Sequence, residues 1–276
     1  RCSRTALAGC LYYFFSVHGC ELHRSAVVCN CNLQLYFFAC INMFSTLQEY
    51  SASILQGAWL TLEVALASLL LSVLIGLAGA AMRLSGNRVI SLLAQWYSSV
   101  VRGVPELIWM LMIYYSMQML LNEVTDYFQM EMIEISPLMA GILTLSFIYG
   151  AYFTETFRGA MLAVPYGQIE AANAYGMSPM LVLRRITFPL MMRFALPGIR
   201  NNWLVLTKAT ALVSIIGLDD MTRLAQQAGS STHMPFLFNM FSALLFLCIT
   251  MVSLLVFRQL DTYYQRGFKM TVSSHE

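Results

Sequence analysis

Charge is what this sequence has least of. Only 11% of its 276 residues are Asp, Glu, Lys or Arg, against about 25% in an ordinary soluble domain, and the mean hydropathy is +0.65. That scarcity excludes a soluble globular domain and puts the chain in a membrane, where a span takes about 20 apolar residues. Cysteine is almost missing from most of the chain: Cys2, Cys10, Cys20, Cys29, Cys31 and Cys40 crowd the start, and only Cys248 follows. Cys29-x-Cys31 has neither the spacing nor the nearby His of a zinc site, so no metal ligands are expected. The four histidines, His18, His23, His233 and His275, are scattered, which argues against the convergent cluster an intramembrane enzyme needs. No Gly-rich loop ends in Gly-Lys-Ser/Thr, so the chain is expected to bind no ATP and no cofactor. No basic patch is interleaved with aromatics, and nucleic acid is not an expected partner.

The chain begins at Arg1, and Met43 stands just before the part that becomes orderly. Residues 1–42 are expected to be an atypical extension outside the functional domain, with the natural start near Met43. A signal peptide is the competing reading, although His18, Glu21, His23 and Arg24 interrupt its apolar runs. Residues 43–270 are expected to form one transmembrane domain, and 271–276 a short tail.

From Met43 onward the charges act as punctuation. Residues 64–82, 107–122 and 135–154 carry no formal charge and predict three spans, the second extended backward past Arg102-Gly103-Val104-Pro105. Pro197 to Leu218 predicts a fourth despite Arg200, Asn201, Asn202 and Lys208. The uncharged run from Leu224 to Phe257 predicts a fifth, opened by Pro235. Such run lengths belong to an all-α integral membrane protein of five helices rather than to a barrel. Gly76, Gly79, Gly141 and Gly150 fall inside these spans, where small residues let helices approach closely.

The loops supply the orientation. Arg83 and Arg88 follow span one, Arg158, Arg184, Arg185 and Arg193 follow span three, and Arg258, Arg266 and Lys269 follow span five. The other connections hold Glu123, Asp126, Glu131 and Glu134, then Asp219 and Asp220 with a single Arg223. Nine basic residues against one place the first set in the cytoplasm by the positive-inside rule. The start near Met43 is then outside and Glu276 inside.

The long inner connection from Arg158 to Phe194 has a structure of its own. Glu170-Ala171-Ala172-Asn173-Ala174-Tyr175 favours a short helix that Gly176 stops, and Ser178-Pro179 caps and opens a second, which Pro189 limits. A helix-turn-helix between helices 3 and 4 is therefore expected. Taken alone it is also what an ordinary pair of interfacial helices looks like.

Glu170, Ala171, Ala172 and Gly176, with Ile186 and Pro189 at their spacing, resemble the EAA loop of the membrane subunits of bacterial ABC importers. The family usually ends this pattern in Leu-Pro, where Phe188-Pro189 stands here. The resemblance covers about residues 51–270. Residues 56–63 (QGAWLTLE), 102–107 (RGVPEL), 150–159 (GAYFTETFRG) and Asn201-Asn202-Trp203 with Lys208 are similar to the polar amino-acid branch. Within it the chain looks most like the Q-type subunits of histidine and lysine/arginine/ornithine importers, whose alanines agree with Ala209 and Ala211.

The resemblance implies a permease, not an enzyme, in a bacterial inner membrane, paired with a second, M-type permease. Two copies of an ATP-binding subunit would carry the ATP and Mg²⁺ and dock on the loop, and a periplasmic protein would deliver polar, cationic amino acids. An ion-coupled secondary carrier or channel is the competing class, but repeated halves are not evident.

Ionisable residues inside spans mark a transport path by default. Glu63, Glu106 and Glu155 are the acids available to a cationic substrate. Each has a plainer explanation: Glu63 snorkels or caps, Arg102 pairs with Glu106 across Pro105, and Arg158 pairs with Glu155 on one helix face. Asn201, Asn202 and Lys208, beside Arg200, suggest a polar stripe facing the path or a partner permease.

Overall fold

The computed structural model describes the backbone of residues 26–129 and 134–265, with side chains from Ser45. The expectations for residues 1–42 and 271–276 lie outside the residues whose side chains are described, as do Glu131, Arg266 and Lys269. Among the described residues all regular structure is helical, in the order α1 (Ala26–Arg83), α2 (Arg88–Gly103), α3 (Glu106–Tyr127), α4 (Pro137–Leu162), α5 (Tyr166–Ala174), α6 (Pro179–Val182), α7 (Phe188–Ala209), α8 (Met221–Thr232) and α9 (Pro235–Gln265).

Helix starts follow side-chain chemistry. Asn87 caps α2 by accepting from the Val89 amide at 3.0 Å. Ser136 caps α4 by accepting from Met139 at 3.3 Å, with Pro137 in the first turn, where its missing N–H costs nothing. Pro235 opens α9, as its position in the uncharged run predicts.

The core is built on α4. Leu145, Ile148, Tyr149, Phe153 and Phe157 of that helix are fully buried and pack with Met191, Trp203 and Leu206 of α7 and Val213 beyond it. The most apolar stretch of α4 is 61% buried within the chain, and that of α9 only 6%, so α4 is the interior helix and α9 an outer one. Glycines set the approach of α1 to α4, because a Cβ on Gly76 would overlap Phe153 and one on Gly79 would overlap Thr154. From the other side, a Cβ on Gly150 would lie 2.5 Å from Ile75, and one on Gly141 the same distance from Val213. Lipid provides no hydrophobic drive for helices to associate, so such close van der Waals contact is what holds them.

Three described helices are long and apolar enough to cross a membrane: Ser45–Arg83, Pro137–Leu162 and Pro235–Tyr264. Helices α2 and α3 make a fourth only as one broken span, because their axes differ by 109°. The expected extension of span two backward past Arg102 is therefore a separate helix, set off by a sharp break at Val104-Pro105. Proline disfavours helical backbone in the residue before it, and Val104 is extended at φ −111° and ψ 138°. The start of the expected fourth span, placed at Pro197, is corrected as well: α7 begins at Phe188, Pro197 lies inside it, and a 3-10 turn, Thr210–Ile216, completes the run.

Candidate functional site

Between α4 and α7, the most extensively packed pair of helices, the chain makes a short projecting unit. Helix α5 is seated by Ala172, 2% exposed, and by Ile169, which packs against the core; Glu170 and Ala171 face outward. Tyr166 and Tyr175 are also exposed, at 71% and 88%. The helix ends as the glycine requires. Gly176 N donates to Asn173 O at 2.9 Å and Met177 N to Ala172 O at 3.2 Å, which is a Schellman closure with Gly176 left-handed at φ 73°.

Pro189 does not limit the second helix, contrary to the sequence expectation. Helix α6 passes through a π-helical turn, Leu183–Thr187, directly into α7, with Phe188 N bonding back to Leu183 O. In a regular α-helix the proline ring would meet the carbonyl four residues earlier; the wider turn moves that carbonyl aside, and the helix continues. Ile186 and Pro189 are both half-buried at this junction.

Arg102 and Glu106 do not pair across Pro105. The break turns them both toward the middle of α4, where the Arg102 guanidinium lies 5.4 Å from the centre of the Tyr152 ring and Glu106 Oε1 accepts from the Tyr149 hydroxyl at 3.0 Å. The two tyrosine rings stack at 5.6 Å, so an acid, a guanidinium and two aromatic faces share one site at the broken span.

Glu155 does pair with Arg158, at 2.9 Å, but it has further partners that sequence spacing did not show: Ser98 Oγ donates to it at 2.9 Å, and Arg83 Nε stands 3.6 Å away. Glu63 is exposed and accepts from the Trp59 indole at 2.5 Å. The polar stripe of α7 is divided by the helix period. Asn202 is buried and donates to Thr156 Oγ1 at 3.0 Å, Arg200 pairs with Asp261 of α9 at 3.1 Å, and Asn201 and Lys208 are exposed. Among the described residues no group of His, Cys, Asp and Glu is arranged to hold a metal ion.

Outside the spans, Asp220 caps α8 by accepting from Arg223 N at 3.0 Å, and it is fully buried. Burial pushes its carboxyl above the ordinary aspartate range, against the opposing pull of the Arg223 and Thr222 amides.

A multi-span helical bundle with a short capped helix displayed between its two best-packed helices is the layout of a membrane permease subunit. The chain belongs to the family of binding-protein-dependent transport system inner membrane components, whose family model matches residues 72–270. It is 54% identical over 223 residues to the histidine/lysine/arginine/ornithine transport system permease protein HisQ of Salmonella typhimurium, covering 81% of this chain and 98% of that one. It is 36% identical over 230 residues to the arginine ABC transporter permease protein ArtQ of Haemophilus influenzae, covering 82% and 100%. Its fold is similar to that in a crystal structure of an amino acid ABC transporter with histidines, with a TM-score of 0.68, 29% identity, and coverage of 80% and 98%.

Proposed function

We propose that this chain is the permease subunit of an ATP-driven bacterial amino-acid importer of the inner membrane, and that it forms the translocation path for histidine, arginine, lysine or ornithine. The observation that carries the coupling role is the Schellman-closed helix Tyr166–Ala174, seated by Ala172 and displaying Glu170 and Ala171. Two copies of an ATP-binding subunit, holding ATP and Mg²⁺, dock on the 170–189 loop. A second, M-type permease completes the path, and a periplasmic binding protein delivers the substrate. The run Phe188–Ile216 serves as the fourth of five spans, which puts the start of the permease domain in the periplasm and the C-terminus in the cytoplasm.

Arg102 and Glu106 are the substrate contacts this geometry favours. A cationic amino acid offers a carboxylate to the guanidinium and an amine to the acid, and the stacked tyrosines line the same place. The exposed Asn201 and Lys208 of α7 face the path or the partner permease. Glu63, held by Trp59 on an exposed side of α1, is the weakest contact of the set.

The test is uptake by the reconstituted complex carrying Glu170→Lys. Membrane insertion stays normal while ATPase-subunit assembly and uptake both fall. Unchanged ATP-driven uptake refutes the coupling role. Competition among histidine, arginine, lysine, ornithine and glutamine then identifies the substrate.

A further inference from the structure

Two adjacent residues of α4 tie four helices together at one level. Glu155 Oε1 accepts from Ser98 of α2 and faces Arg83 at the end of α1, while Oε2 accepts from Arg158. Arg83 is held in turn: its Nη1 donates to Gln95 Oε1 at 2.8 Å, and its carbonyl accepts from Ser91 at 3.1 Å. Thr156 faces the other way. Its Oγ1 accepts from Asn202 of α7, and a Cβ on Gly198 would lie 2.6 Å from its Cγ2. Helices α4 and α7 are the two that enter and leave the 163–187 segment.

Apolar helix faces in contact can slide by small shears, whereas ion pairs and hydrogen bonds at defined atoms fix the register along the axis. Helices α4 and α7 share the Thr156–Asn202 bond and the Gly198 contact, so they move as one body. Helices α1 and α2 are joined to that body through Glu155, whose two carboxylate oxygens are both engaged. The side chains of Arg83, Glu155 and Arg158 are 14%, 21% and 33% exposed, so solvent screens them only in part. Removing the carboxylate leaves the Arg83 and Arg158 guanidinium groups without the counter-charge they share, and the level loses its register.

We infer that Glu155 and Thr156 form a transmission node: displacement of the docked loop reaches α1 and α2 through them, and Glu155 is a positioning residue rather than a substrate contact. The inference rests on the coupling role proposed for the loop. It is tested in the complete reconstituted complex by measuring substrate taken up per ATP hydrolysed, together with the KM for substrate and co-purification of the ATPase subunit. Glu155→Gln is expected to co-purify the ATPase subunit normally, to keep the substrate KM, and to lower uptake per ATP by about 2- to 30-fold, the range found for mutations along coupling networks. Ser98→Ala, which removes one hydrogen bond and leaves both ion pairs, gives a smaller loss of the same kind and serves if Glu155→Gln fails to assemble. Asn202→Ala lowers the same ratio from the α7 side.

An unchanged ratio in Glu155→Gln, or in Ser98→Ala where the first variant does not assemble, overturns the node. So does a raised KM at an unchanged ratio, which would make Glu155 a substrate contact. Glu170→Lys separates the two readings: if it leaves assembly and uptake intact, the loop's coupling role has failed; if it abolishes them while Glu155→Gln keeps the wild-type ratio, only the node has failed.

Discussion

Replacing Gly176 tests whether the loop acts through its shape. The residue sits at φ 73°, and a Cβ added there meets no atom within 4 Å. The whole cost of a substitution is therefore backbone strain. For Ala that cost is about 1–2 kcal/mol, a factor of about 5–30 in the population of the closed turn. Asn tolerates the left-handed region and costs less, while a β-branched Val costs more. A short exposed element has little stability in reserve, so the lost population passes into the apparent affinity of a partner that binds only the closed turn. Titrating the ATP-binding subunit onto membranes that carry the variants should give apparent Kd values rising in the order Gly, Asn, Ala, Val, with Ala weakened by at most about 30-fold. Equal affinity for all four, with equal membrane insertion, refutes the argument. So does Val binding better than Ala.

The close approach of α1 to α4 makes Gly150→Ala an overpacking mutation, since the new Cβ would lie 2.5 Å from Ile75 and 2.9 Å from the Tyr97 hydroxyl. A loss of about 1–3 kcal/mol is expected, read as a lower Tm of the detergent-solubilised protein, and combining the substitution with Ile75→Ala, which removes the overlapping Cγ2, should cost less than the two single substitutions added. Burial raises the folded-state pKa of Asp220, so the folded protein binds that proton more tightly than the unfolded chain does. Its contribution to stability is then fully present below the unfolded value of about 3.9 and is lost as pH rises through the folded value. Asp220→Asn keeps an acceptor for the Arg223 amide and removes the titration, so the Tm of the variant relative to wild type should rise with pH over that window; a gap independent of pH contradicts the assignment.

How far each feature was legible in the sequence depends on the range of the interaction that makes it. The stop of the helix Tyr166–Ala174 was readable because a Schellman closure is local: the glycine, the alanines and the bonds they make lie within a few residues, whereas its start lies ahead of the Glu170 at which the sequence pattern begins. Pro235 was readable for the same reason, since a proline in the first turn of a helix is a local preference. Pro189 was misjudged because a π turn, which no residue type announces, rescues the helix around it. Arg102 and Glu106 were paired by spacing along a helix that Pro105 in fact breaks, and the 109° bend hands them to different tyrosines.

The sequence by itself determined that the chain is a helical membrane protein, where its strongest spans lie, and which loop carries a capped helix. These follow from solvation of apolar runs and from backbone preferences, which act on neighbouring residues. Only the tertiary structure decided what each charge in the spans does. Glu155 finds Arg158 three residues away, but Ser98 and Arg83 come to it from other helices. Asn201 and Asn202 are adjacent in sequence, yet the helical turn buries one against Thr156 and exposes the other. The partners of a buried polar group are chosen by the packing of the helices, and that packing is not written in the spacing of any single segment.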